Sequence, residues 1–68
     1  MSVLFDKSQV QQCYDYLNTE IENLKRKKVQ ALSLGNAVGY QLAKMIDGQI
    51  EAKQEELESV EYALHNMT

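Results

Sequence analysis

The four residues Ser33-Leu34-Gly35-Asn36 decide the fold, because they place a helix stop beside a helix start in the middle of a helix-forming chain. Glycine readily adopts the left-handed conformation found just past a helix end, and asparagine is a favoured N-cap. The remaining sequence is rich in Glu, Gln, Lys, Leu and Ala and contains no proline, which favours helices over strands. We predict one helix over about 7–34, a turn at 35–36, and a second helix over about 37–66.

The start of the first helix has its own signal. Asp6 is a suitable N-cap, and Gln9 three residues later completes a capping box. Phe5 and Val10 have the spacing of a hydrophobic staple, which fixes the direction in which the chain enters a helix. These residues predict that the first helix begins at residue 7.

Each predicted helix carries an apolar stripe with heptad-like spacing. The first stripe comprises Val10, Tyr14, Leu17, Ile21 and Leu24, and the same spacing continues to Lys28 and Ala31. The second stripe comprises Leu42, Ile46, Ile50, Lys53, Leu57, Val60, Leu64 and Met67. If the chain folds back at residues 35–36, residues whose numbers add up to about 71 lie opposite each other, and the two stripes meet layer by layer. This agreement predicts an all-α, coiled-coil-like antiparallel hairpin. The alternative is one continuous helix, which would have to run through both Gly35 and Gly39.

A chain of 68 residues is one domain, residues 1–68, near the size at which a single core is marginal. Two helices cannot cover both apolar stripes completely, so we expect a homodimer that forms a four-helix bundle. Cys13 is expected to be a small, mostly buried side chain. Six residues outside the stripes are predicted to form the self-association or partner face: Tyr16, Val29, Leu32, Val38, Tyr40 and Met45.

Charge divides unevenly along the chain, whose net charge is −3. Residues 1–34 carry a net +1 and residues 35–68 a net −4. The run Lys25, Arg26, Lys27 and Lys28 is a candidate contact for an acidic partner or for phosphates. The structural interpretation is that these cations interact favourably with the C-terminal end of the helix dipole. In a head-to-tail dimer, this run would approach the acidic 51–61 stretch of the second copy.

No catalytic, cofactor or metal-binding pattern emerges from the sequence. Cys13 has no general base at a useful spacing, and His65 has only Glu61 one turn away as a possible co-ligand. We therefore predict a protein that is not an enzyme and has no cofactor or metal. The N-terminus lacks the basic and apolar regions of a secretory signal, and no run is long enough to span a bilayer, so we expect a cytoplasmic protein.

These features favour a protein-interaction module, a small helical adaptor, inhibitor or regulator that binds a protein partner through a helical face. Bacterial and phage genomes encode many short helical proteins of this kind, and we expect such a source. The alternative is a nucleic-acid-linked regulator, which is less favoured by the negative net charge. It would use Lys25–Lys28 to bind phosphates, or an acidic face on the second helix that mimics DNA.

Overall fold

The computed structural model describes residues 6–67, which form two α-helices packed side by side in opposite directions. Helix α1 spans Lys7–Leu32 and helix α2 spans Ala37–His65. No strand occurs in residues 6–67, and the molecule is a rod with extents of 54 × 18 × 14 Å. The predicted all-α helical hairpin is confirmed.

The start of α1 is a complete capping box. The Asp6 carboxylate accepts a hydrogen bond from the Gln9 backbone N–H at 2.9 Å, and the Gln9 side-chain oxygen accepts one from the Asp6 N–H at 3.0 Å. Two of the N–H groups that a helix start leaves unpaired are thereby satisfied. The predicted staple depends on Phe5, which lies outside the described residues.

The reversal occupies residues 33–36. Gly35 has φ +66°, a left-handed conformation that glycine adopts without steric cost, and its N–H donates to the Leu32 carbonyl at 3.1 Å. The Asn36 side chain then caps α2 by accepting from the Gly39 N–H at 2.8 Å. Helix α1 ends at Leu32, so Ser33 and Leu34 belong to the turn.

The predicted stripe of α1 faces α2 along its whole length. Leu17, Ile21 and Ala31 are buried, with exposed fractions of 5–6%. The other four members of the stripe are half-buried: Val10, Tyr14, Leu24 and Lys28.

The predicted stripe of α2 is wrong at its first position. Leu42 is 42% exposed, and the buried positions near the turn are Gly39 and Ala43. The cause is the short connection, which holds the helices very close together. A Cβ at residue 39 would overlap the Ala31 carbonyl oxygen and lie 2.9 Å from the Leu34 Cβ. Only very small residues fit there, and the predicted stripe resumes at Ile46.

Burial falls off with distance from the turn. No residue in 6–16 or 51–67 is buried, although Val10, Tyr14, Leu57, Val60 and Leu64 face the opposite helix there. The hairpin is therefore tightly closed from the turn to its middle and only loosely closed towards its termini.

Two lysines lie on the stripes with half-buried side chains. The Lys28 Nζ lies 2.7 Å from the Asp47 Oδ1 across the two helices, and the Lys53 Nζ lies 3.9 Å from the Glu56 Oε1 within α2. Both stems pack over the apolar seam while the ammonium groups reach carboxylates in solvent. The numbers of Lys28 and Asp47 add up to 75, one helical turn from the predicted register. Neither helix is long and apolar enough to cross a membrane.

Candidate functional site

The hairpin has two sides, one on each flank of the seam between the helices. The ion-pair side is marked by Lys28–Asp47 and by the Tyr14 hydroxyl, which lies 3.5 Å from the Glu61 carboxylate. The groove side carries an open groove near the termini, lined by Gln9, Val10, Cys13, Ser59, Val60 and Ala63. Successive helical residues are rotated by about 100°, so the side of every other residue follows from its spacing to these markers.

The six residues predicted as the association face are all exposed, but they do not form one surface. Residues three or four apart on a helix share a face, which assigns three of the six to each side. Val29, Leu32 and Tyr40 lie on the ion-pair side near the turn. Val38 and Met45 lie on the groove side near the turn, and Tyr16 lies on the groove side towards the termini. With exposed fractions of 44–66%, all six remain available for contacts.

Exposed apolar side chains concentrate at the turn. Nine large hydrophobic residues among the described ones are strongly exposed, and seven of these lie between residues 29 and 45. We call these seven the turn-end apolar surface: Val29, Leu32, Leu34, Val38, Tyr40, Leu42 and Met45. Single exposed apolar residues are ordinary, whereas their concentration on both sides of one end of the rod favours a role in interaction.

The ion-pair side of this surface contains a shallow depression. Its lining is Leu32, Gly35, Asn36, Ala37 and Tyr40, and its volume is about 400 Å³. Tyr40 forms one wall and is 63% exposed. The depression is open to solvent, and its lining is partly polar because Asn36 contributes to it.

The groove on the other side lies at the opposite end of the rod. Its volume is about 390 Å³, and most of its lining is apolar, from Val10, Cys13, Val60 and Ala63. Cys13 is exposed, which corrects the prediction that it is mostly buried. The reason is its position: it lies beside the seam, in the part of α1 where the helices are loosely closed.

Folding divides the charge more sharply than the sequence does. The turn half, residues 23–46, contains five cations and no carboxylate, a net +5. The terminal half, residues 6–22 and 47–67, contains two cations and ten carboxylates, a net −8. Splitting the chain at residue 34 hid this division, because the hairpin places residues 23–34 beside residues 35–46. The predicted turn position was the signal that could have revealed it.

The basic run does not act as a single patch. Lys28 is paired with Asp47, and the Arg26 guanidinium donates to the Asn23 Oδ1 at 3.4 Å. By helical spacing, Lys25 lies on the ion-pair side, Lys27 on the groove side, and Arg26 away from α2. The four cations thus surround the turn half instead of converging on one ligand.

The remaining reactive side chains are dispersed. His65 is exposed at the end of α2, and Glu61 and Lys7 share its surroundings. Within the described part of the chain, no three His, Cys, Asp or Glu residues come close enough to hold a metal ion.

Comparisons of the chain with protein-family models, with curated proteins and with solved structures found no match. The two surfaces and the charge division between the halves of the hairpin are therefore the features that indicate a function.

Proposed function

We propose that this protein is a cytoplasmic, non-enzymatic interaction module that binds a protein partner through the ion-pair side of the turn-end apolar surface. It would act as a small adaptor, inhibitor or regulator. The observation that carries the proposal is the concentration of seven of nine exposed hydrophobic side chains between residues 29 and 45. The partner we expect is a protein segment with apolar side chains flanked by carboxylates, because the turn half carries a net +5.

The ion-pair side of the turn end is the best candidate for the contact itself. Tyrosine is enriched among the residues that dominate binding energy, and Tyr40 stands beside a depression that an apolar anchor can fill. Lys25 and Lys44 lie on or near this side, where they can attract a carboxylate. A helix presenting a hydrophobic anchor next to Asp or Glu would satisfy both features.

Self-association belongs to the same proposal. The seam residues in 6–16 and 51–67 are at most half-buried, and the turn end exposes further apolar area. A second copy that completes a four-helix bundle would cover part of both regions.

A quantitative pull-down from the source organism tests the partner site. The variants are Tyr40→Glu, at the turn end, and Tyr62→Glu as a matched control, because Tyr62 is 73% exposed but lies near the C-terminal end of α2. We expect the wild type and Tyr62→Glu to capture the same protein, and Tyr40→Glu to lose at least about tenfold in recovery. Equal recovery by all three proteins would show that the turn end is not the binding site.

Phosphate binding is the second candidate function, and the five cations of the turn half are the observation in its favour. Their dispersion around the hairpin and the Lys28–Asp47 pair weigh against it. Fluorescence anisotropy with a labelled DNA duplex at low salt distinguishes the two. Binding that weakens steeply with salt would favour the nucleic-acid function, and we expect no such binding.

A further inference from the structure

We propose that two copies of this chain pair head to tail through their groove sides, so that the turn end of each copy covers the terminal groove of the other. The inference deepens the self-association part of the proposed function and rests on it. Its occupant is a second copy of this chain, and three features of the hairpin point to that occupant: shape, charge and area.

The groove side carries an apolar projection and an apolar groove at opposite ends. The projection consists of Val38, Leu42 and Met45, which are spaced four and three residues apart and are 42–65% exposed. The groove lies between Val10 and Cys13 of α1 and Val60 and Ala63 of α2. A rise of 1.5 Å per residue puts Leu42 and Val60 about 27 Å apart along α2.

A two-fold axis that lies between the two groove sides, perpendicular to the rods at their middle, brings each projection onto the groove of the other copy. The midpoint between Leu42 and Val60 is the level of Glu51, which is also the middle of α2. One operation therefore satisfies both ends at once. The contact is isologous and closes at two copies, so it does not continue into a filament.

Charge favours the head-to-tail orientation over the parallel one. Head to tail, each turn half with a net +5 lies over a terminal half with a net −8, whereas parallel copies would place like charges together. Lys27 provides a specific pair. It adjoins Lys28, whose partner is Asp47, and so lies about three residues on the turn side of the axis. The axis keeps α1 over α1 of the second copy, and the equivalent level beyond it is near Glu20, which lies on the same flank of α1 as Lys27.

The available area is sufficient for a stable contact. A face whose outline measures 54 × 18 Å is of the same order as the roughly 800 Å² that each partner buries in a standard interface. The midpoint axis gives nearly full overlap of the two rods, so most of this face is covered.

The arrangement leaves the ion-pair side of each turn end uncovered. Val29, Leu32 and Tyr40 would lie at both ends of the dimer and point away from the interface between copies. The dimer is thus bivalent towards the partner of the proposed function, and the two surfaces can be tested separately.

The first test measures mass by light scattering over a range of protein concentrations. It compares Met45→Glu with Tyr40→Glu, because these residues are 65% and 63% exposed on opposite sides of α2. We expect a dimer for the wild type and for Tyr40→Glu, and at least a tenfold weaker dimer for Met45→Glu. A wild type that stays monomeric at every concentration would overturn the proposal, as would equal weakening by both variants.

A charge exchange tests the orientation and does not require an apolar residue to be changed. Lys27→Glu and Glu20→Lys should each weaken the dimer severalfold, and the double variant should recover most of the loss. If the losses of dimer affinity caused by the two single substitutions add up in the double variant, the head-to-tail pairing is contradicted. Circular dichroism on the same samples checks that all variants remain helical.

The results also separate this inference from the proposed function. If Met45→Glu is monomeric but still captures the partner, the dimer is established as an independent property. If Tyr40→Glu keeps its mass and its partner, the turn-end binding site is wrong while the head-to-tail dimer stands. If the wild type is monomeric and captures the partner through Tyr40, the dimer proposal is wrong and the partner site stands.

Discussion

The turn half and the terminal half of the hairpin are built from the same kind of amphipathic helix, yet they differ in packing and in charge. Near the turn, Gly39, Ala43 and Ala31 are buried, and the surrounding residues carry only positive charge. Near the termini, the seam residues are larger but only half-buried, and the charge is strongly negative. Close packing beside the short connection therefore depends on small side chains, whereas at the middle of the rod Leu17, Ile21 and Ile50 of the apolar stripes are buried.

In the turn half, the residues that pack the two helices together are not the residues that are exposed for binding. The closely packed turn half cannot cover its own larger apolar residues, because its inner positions are too narrow to hold them. Leu42 is displaced to the surface for this reason. The terminal half has the opposite property in residues 6–16 and 51–67, where the apolar seam is not fully closed. The turn half exposes apolar side chains, and the terminal half has an open apolar groove that such side chains can fill.

The largest expected effect comes from truncating the buried middle of the seam. Ile21→Ala removes a side chain that is 5% exposed and should lower the free energy of unfolding by about 2–4 kcal/mol. Val60→Ala removes a half-buried side chain of the loosely closed region and should cost about 1 kcal/mol or less. Urea denaturation at low protein concentration measures both. Equal losses would show that the seam near the termini is packed as well as the seam at the middle of the hairpin.

The next effect concerns two glycines of α2 with different surroundings. Gly39→Ala should destabilise the hairpin by about 1–3 kcal/mol, because the new Cβ overlaps the Ala31 carbonyl oxygen. Gly48→Ala should stabilise it by about 1 kcal/mol, because no atom lies within 4 Å of the new Cβ and alanine is the better helix former. Thermal unfolding, monitored by circular dichroism, shows whether each variant is less or more stable than the wild type. Stabilisation by Gly39→Ala would contradict the close approach at the turn.

The turn itself should respond to the conformation of Gly35. Gly35→Ala forces a Cβ into the left-handed region and should cost about 1 kcal/mol. Gly35→Asn should cost less, because asparagine tolerates that conformation. The same unfolding experiment compares them, and an identical response of the two variants would argue against the observed turn geometry.

The smallest effect concerns the ion pair that joins the two helices. Lys28→Gln should lower stability by about 0.2–1 kcal/mol, because Lys28 and Asp47 are 36% and 52% exposed and water screens them. The loss should shrink when the salt concentration rises. Lys44→Gln, at an exposed position outside the seam, is the control and should change stability very little. A loss that salt leaves unchanged would mean that the Lys28 stem contributes by packing.

Sequence reasoning predicted the hairpin well because its signals are local. The capping box at Asp6, the positive φ of Gly35 and the cap at Asn36 each depend on residues only a few positions apart. The exposure of Leu42 and of Cys13 was missed. Both depend on how closely two helices approach at a given level, which is a property of the packed pair.

The candidate surfaces were predicted only in part. All six residues of the predicted association face are exposed, but periodicity alone did not show that they divide between two sides. The division requires the position of the second helix. The net charges of the two halves likewise appear only after the chain is folded back.

Pulsed electron–electron double resonance on nitroxide labels at the turn tests the head-to-tail association most directly. The labelled protein would carry Ser33→Cys as its single cysteine, in a Cys13→Ala background that keeps the groove apolar. Head-to-tail copies place the two turns at opposite ends of the dimer, with a distance of about 45 Å between the labels. Parallel copies would bring the labels within about 20 Å of each other. A distance distribution centred near the longer value is the expected result, and one centred near the shorter value would contradict the account.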